Sequence, residues 1–160
     1  MSGIQKGQSD IFVFNLRTRV AEQITKDFSK RTKSIIDNYK GEFKVTLLVN
    51  CCLGLLVVPQ EHYFNELPDI EIPESGELWG LSRTSVNVDC DKCGYKLRDI
   101  LRRIRNGICH FKITSIPDEE NQIMFLVIKD RNNFSAKLSI QQLETLVTKL
   151  NEHLHKSRNM

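Results

Sequence analysis

Four arginines, an asparagine and a histidine crowd the segment Leu97-Arg-Asp-Ile-Leu-Arg-Arg-Ile-Arg-Asn-Gly-Ile-Cys-His-Phe111. Placed on a helix at about 100° per residue, Leu97, Ile100, Leu101, Ile104, Ile108 and Phe111 fall in one arc. Arg98, Arg102, Arg105, Asn106, Cys109 and His110 fall in the opposing arc. The division predicts a helix that buries the first set and presents the second. Arg98, Arg102, Arg103 and Arg105 use arginine to the exclusion of lysine, and the planar guanidinium fork suits phosphate oxygens. An imidazole such as that of His110 moves protons near neutral pH. Asn106 stands one turn before His110, close enough for their side chains to meet. Arg105 and His110 are roughly 140° apart on the wheel, so they flank the polar face and do not stack. Gly107 interrupts this helix at a cost of about 1 kcal/mol against alanine. An exposed stripe does not need that glycine. Another chain or a ligand approaching the backbone closely would.

Arg105-Asn106-Gly-Ile-Cys-His110 resembles the Arg-x(4–6)-His signature, with Asn after Arg, of the HEPN superfamily, and the chain is most similar to its small plasmid- or phage-borne branch. The resemblance covers about Glu42 to Phe111, and extends to Phe12–Tyr39. It implies a metal-independent endoribonuclease of toxin or antiviral-defence type, a cytoplasmic hydrolase whose active site forms at a homodimer interface from two copies of the motif. RNA carries its own nucleophile, the 2′-OH, so the implied catalytic set is small. His110 serves as base or acid, Arg105 holds the phosphate and its growing charge, and Asn106 orients His110 or donates to an oxygen. Arg98, Arg102 and Arg103 become RNA- and phosphate-binding residues. Expected partners are RNA, a second copy of the chain, and a cognate antitoxin or regulatory protein. A second reading from another class is a non-catalytic HEPN nucleotide- or RNA-binding module or dimeric adaptor.

These residues need a scaffold. Apolar positions at Leu16, Val20, Ile24, Phe28, Ile35, Ile36 and Tyr39 predict an amphipathic helix over Phe12–Tyr39. After Gly41, Glu42–Val58 reads as a helix apolar on nearly all sides, closed by Pro59. Within it Thr46, Asn50 and Gly54 make a narrow stripe, either for close approach of a neighbouring helix or with Asn50 supporting the site. Gln60–Gly94 carries three of the helix-breaking glycines, two prolines and an acidic stretch from Asp69. It reads as a long loop tacked to the core by Trp79 and Leu81. Phe111–Ile116 alternates with period two, Pro117-Asp-Glu-Glu-Asn turns, and Gln122–Lys129 returns as a β-rich run. Phe134–Leu138 offers a third short strand. Ser139 is a candidate cap for a last helix, Ile140 to about His155. The expected fold is mainly α, a HEPN-like helical bundle with a small β-hairpin inserted before the C-terminal helix, in a single domain over residues 1–160.

The composition limits the alternatives. A chain of 160 residues, 40% hydrophobic and 27% charged, can build one core without staples. Its net charge of +3 neither requires nor excludes a nucleic-acid partner; the placement of the arginines matters more. The longest apolar run, Val45–Val58, is too short for a membrane span of about 20 residues, so no membrane is expected. The first residues lack an apolar signal core, and the five cysteines read as reduced thiols. Cys90 and Cys93 form a single C-x2-C where structural zinc wants two more ligands, so no metal or cofactor is expected. Cys109 beside His110 makes a poor nucleophile–base pair, because adjacent helix positions diverge by about 100°. His153 and His155 are expected to face solvent.

Overall fold

The β-branched run that reads as one arm of a hairpin proves to be the centre of a layer. In the computed structural model, which describes residues 44–57, 65–88 and 94–156, four antiparallel strands form one sheet in the order β1-β4-β3-β2. They are β1 (Val86–Asn87), β2 (Ile113–Pro117), β3 (Ile123–Lys129) and β4 (Ser135–Ser139). Their registers set Leu126 against Leu138, Ile128 against Ala136, and Ala136 against Val86. All of these are buried. Alternation puts them on one face, where the helices cover them.

Among the described residues three helices supply the other layer: α1 (Lys44–Cys52, continued by a π-helical turn, Leu53–Val57), α2 (Leu97–Cys109) and α3 (Ile140–Lys156). α2 packs on β3, α3 packs on β3 and β4, and α1 with its π turn packs on both α2 and α3. Leu48, Leu56, Ile100, Leu101, Ile104, Leu146, Val147 and Leu150 join the sheet's inner residues in one core. α3 starts with a capping box: the Gln142 N–H donates to Ser139 Oγ at 3.1 Å, and the Ser139 N–H donates to Gln142 Oε1 at 2.9 Å.

The expected mainly-α bundle is therefore corrected to a two-layer α+β fold among the described residues. The hairpin is no insertion, because its apolar face is a wall of the core. The strand that completes the sheet, β1, comes from the segment expected to be loop, and joins β4. A two-residue strand has no periodicity of its own, and only its partner makes it one. The same segment is tied down elsewhere. Ile72 N–H donates to the Tyr95 carbonyl at 2.8 Å, and Leu97 N–H to the Ile70 carbonyl at 2.8 Å. Leu67, Ile72 and Leu81 are buried, and Trp79 packs against the core as expected.

The acidic stretch is largely used within the fold. Arg83 reaches Glu71 at 3.0 Å and Glu74 at 3.2 Å while lying over the Tyr95 ring, and Lys96 meets Asp69 at 3.2 Å. His153, expected in solvent, stacks obliquely on Trp79 and hydrogen-bonds the Glu66 carbonyl. The predicted helix Phe12–Tyr39, the stop at Pro59, Cys90, Cys93 and the side chain of His155 lie outside the described residues. No described helix is long and apolar enough to cross a membrane.

Candidate functional site

α2 buries Leu97, Ile100, Leu101, Ile104 and Ile108 as its wheel predicts. Gly107 is buried too, against the protein's own sheet. A Cβ there would lie 2.5 Å from Ile128 Cγ2 and 2.6 Å from the Lys129 carbonyl oxygen. The expectation that the glycine admits another chain or a ligand is thus corrected: what approaches it is β3 of the same chain. That approach has a consequence for the site, because the residues after Lys129 form the β3–β4 turn, which lands beside the polar face of α2.

The turn and the helix face one another across a cleft of about 360 Å³, lined by Asp99, Arg102, Arg103, Asn106, Asp130, Arg131 and Asn132. The turn is held by the Asp130 N–H donating to the Phe134 carbonyl at 3.1 Å and the Phe134 N–H donating to the Arg131 carbonyl at 3.3 Å, and Asn132 and Asn133 take positive φ of 55° and 53°. Asparagine tolerates that region better than most residues. Arg103 reaches across to the Arg131 carbonyl at 3.1 Å and lies over the buried Phe134 ring. Arg102 sits near Asp99 at 3.6 Å, an exposed pair of little energetic weight.

From two of the lining residues, Asn106 and Asp130, a directed chain of hydrogen bonds runs to Arg105, which is outside the lining. Asn106 Nδ2 donates to Asp130 Oδ2 at 3.3 Å. Asn106 Oδ1 accepts from Arg105 Nη2 at 3.1 Å and Nε at 3.4 Å. A carboxylate can only accept and a guanidinium can only donate, so the two partners fix which way the amide faces. Asp130 thereby holds Asn106, and Asn106 holds the head of Arg105. Sequence reasoning missed Asp130. Its place in a turn four residues before Phe134 has no signal until β3 is set against α2.

The remaining candidates separate from this cluster. His110 is exposed at the end of α2, joined to Asn106 through its backbone N–H and the Asn106 carbonyl at 3.0 Å. Its side chain is outside the cleft lining. Arg98 turns away to clamp the Leu67 carbonyl with both Nε, at 3.1 Å, and Nη2. It anchors the 65–88 segment. Asn50 is exposed on α1, and of its stripe only Gly54 is buried. Phe111, assigned by the wheel to the apolar arc, is 87% exposed. The helix has already ended, and Phe111 turns out of it at φ 53°.

The cysteines divide sharply. Cys51 and Cys52 are free and buried, while Cys109 is free and exposed. Burial pushes the Cys51 thiol up, and burial together with the neighbouring Cys51 pushes Cys52 up to about 12. These two are packing residues and poor nucleophiles. Among the described residues, no group of three or more His, Cys, Asp or Glu is placed to hold a metal ion.

Chemically, the cleft and its rim offer guanidiniums for phosphate oxygens, an oriented amide, and an exposed imidazole one turn further on. A family model described as HEPN pEK499 p136 matches residues 9–160. Comparison with curated proteins and with solved structures yields no match.

Proposed function

The chain belongs to the HEPN pEK499 p136 family, and on that premise we propose that it is a metal-independent endoribonuclease of the toxin or antiviral-defence kind. The observation that carries this reading is the Asp130–Asn106–Arg105 chain beside an arginine-lined cleft. A guanidinium held by its neighbours is preorganised for the charge that builds on a phosphorane, and preorganised charge stabilises a transition state without reorganisation cost. A cleft of this volume lies in the range of small-ligand sites, roughly 300–1,000 Å³.

In this mechanism His110 removes the 2′-OH proton, O2′ attacks the adjacent phosphorus, and the bond from phosphorus to O5′ breaks. A proton delivered to O5′ completes the step. The products are a 2′,3′-cyclic phosphate and a 5′-hydroxyl. Arg105 and His110 flank one helix face, so a single copy holds them apart. Two copies related by a two-fold axis bring Arg105 and His110 of both around one phosphate. The exposure of His110 at the end of α2 leaves it accessible for that arrangement.

One feature favours a second reading. His110 lies outside the cleft lining, so the cleft alone could bind phosphate without cleaving, as a nucleotide- or RNA-binding module would.

The test is cleavage of RNA by the purified chain in excess chelator. Wild type is expected to cleave and leave a cyclic phosphate, with Arg105→Ala and His110→Ala each slower by about a hundredfold or more. Unchanged cleavage in either variant removes the mechanism. Binding without cleavage of any RNA supports the second reading, and a monomer at micromolar concentration counts against the composite site.

A further inference from the structure

Helix α2 closes in an unusual way. The Phe111 N–H donates to the Ile108 carbonyl at 3.1 Å, and the Lys112 N–H donates to the Gly107 carbonyl at 2.8 Å. This is the bond pair of a Schellman closure, whose left-handed residue is usually glycine. Here that residue is phenylalanine, at φ 53°. A bulky side chain in this region is strained, and its ring is 87% exposed. Both the conformation and the exposure are unfavourable, so the fold gains nothing visible from the ring.

Its neighbours in the chain carry polar groups. Cys109, His110 and Lys112 are all exposed beside it. The other exposed large apolar residues of the hairpin, Ile116, Ile123 and Met124, sit at its far end. The register pairs Ile113 with Ile128 near Phe111, and Ile116 with Phe125 at the other end. From Ile113, where the strand begins after Phe111, to Ile116 the strand alone runs about 10 Å. Among the described residues the ring therefore stands apart from the other exposed large apolar side chains of the hairpin, and with them it forms no apolar patch of the kind that marks a protein interface. The Phe111 backbone is held on both sides. The Schellman bonds hold one side, and the Lys129 N–H bond to the Lys112 carbonyl at 2.9 Å holds the other.

We propose that Phe111 is a stacking platform for an unpaired nucleobase of RNA, next to the phosphate that His110 and Arg105 serve. The inference rests on the RNA reading above and adds a substrate preference to it. A ring fixed one residue from His110 holds the base flanking that phosphate, and base–aromatic stacking accepts any base that is free of a duplex. Single-stranded RNA is preferred over double-stranded RNA for the same reason.

The experiment measures binding of a fluorescent single-stranded oligoribonucleotide, 2′-O-methylated so that it cannot be cleaved, to the full chain. Phe111→Gly is expected to bind roughly five- to hundredfold more weakly than wild type, while its thermal midpoint is unchanged or higher, because glycine suits φ 53°. Phe111→Tyr is expected to bind within about twofold of wild type, since it keeps the ring. An abasic nucleotide at the stacking position should weaken wild type and leave Phe111→Gly unaffected. Wild-type affinity in Phe111→Gly overturns this proposal and leaves the ribonuclease reading standing. Loss of self-association in Phe111→Gly overturns it in favour of a protein contact. Failure of the wild type to bind any RNA overturns both readings.

Discussion

Replacing Gly107 with alanine tests how the sheet positions the site. On a helix with open space at that position, the substitution would stabilise the chain by about 1 kcal/mol through helix propensity. The structure predicts the opposite sign. The new Cβ would stand 2.5 Å from Ile128 Cγ2 and 2.6 Å from the Lys129 carbonyl oxygen, against 3.4 Å or more for ordinary contact. Ile128 is 1% exposed, so its methyl has no solvent to swing into. The Lys129 oxygen belongs to a backbone held by pairing with β4 and by the bond to Lys112. Relief requires α2 and β3 to separate by several tenths of an ångström. Overpacking of this sort costs about 1–3 kcal/mol, and the upper part of that range applies because one clashing atom is backbone. Less the propensity gain, Gly107→Ala should be less stable by about 1–2 kcal/mol. Urea denaturation reads this directly as a lower midpoint with an unchanged slope. Asp130 follows Lys129, so the same separation lengthens its bond to Asn106, and RNA binding should weaken at temperatures where the variant is still folded. A midpoint equal to or above that of wild type would refute the packing of α2 on β3 and the positioning of Asn106 that depends on it.

Two further outcomes follow from single contacts. Ser139→Ala removes the oxygen that receives the Gln142 N–H, so it should cost about 1 kcal/mol and lower the thermal midpoint by a few degrees; no change would mean the cap is redundant. Alkylation of the folded chain by iodoacetamide at pH 8, followed by peptide mapping, should modify Cys109 and spare Cys51 and Cys52. Cys52, pushed up to about 12, holds almost no thiolate there, and modification of Cys52 without unfolding would contradict its burial. The same shift has a sign in stability. The thiol's folded value is above its unfolded one of about 9. Its contribution is therefore fully present below pH 9 and is lost as pH rises toward 12, so the urea midpoint should fall across that window.

Much of the local structure was legible in the residues. The wheel of α2 picked out Leu97 through Ile108 as its buried side, the alternation after Phe111 and the run to Lys129 marked a hairpin, and Ser139 marked the start of α3. Each of these signals is carried by residues a few positions apart, where periodicity and capping chemistry act. The wheel failed at Phe111 because it extends a helix past its end, and this helix stops on phenylalanine, with no glycine to mark the place. Reading the hairpin as an appendage failed for a different reason. Whether an apolar face covers a core depends on what packs against it, and β1 reaches β4 from about fifty residues earlier in the chain.

The sequence by itself determined the inventory of α2: its arginines, Asn106, His110 and the interrupting Gly107, all read from one stretch of helix. Only the tertiary structure decided what that inventory faces. It turned Gly107 toward β3, brought Asp130 to Asn106, sent Arg98 to the Leu67 carbonyl and left Phe111 in water. Side-chain identity and spacing are properties of a short segment. Partnership is a property of two segments whose docking is set by the core between them, and no local pattern records it.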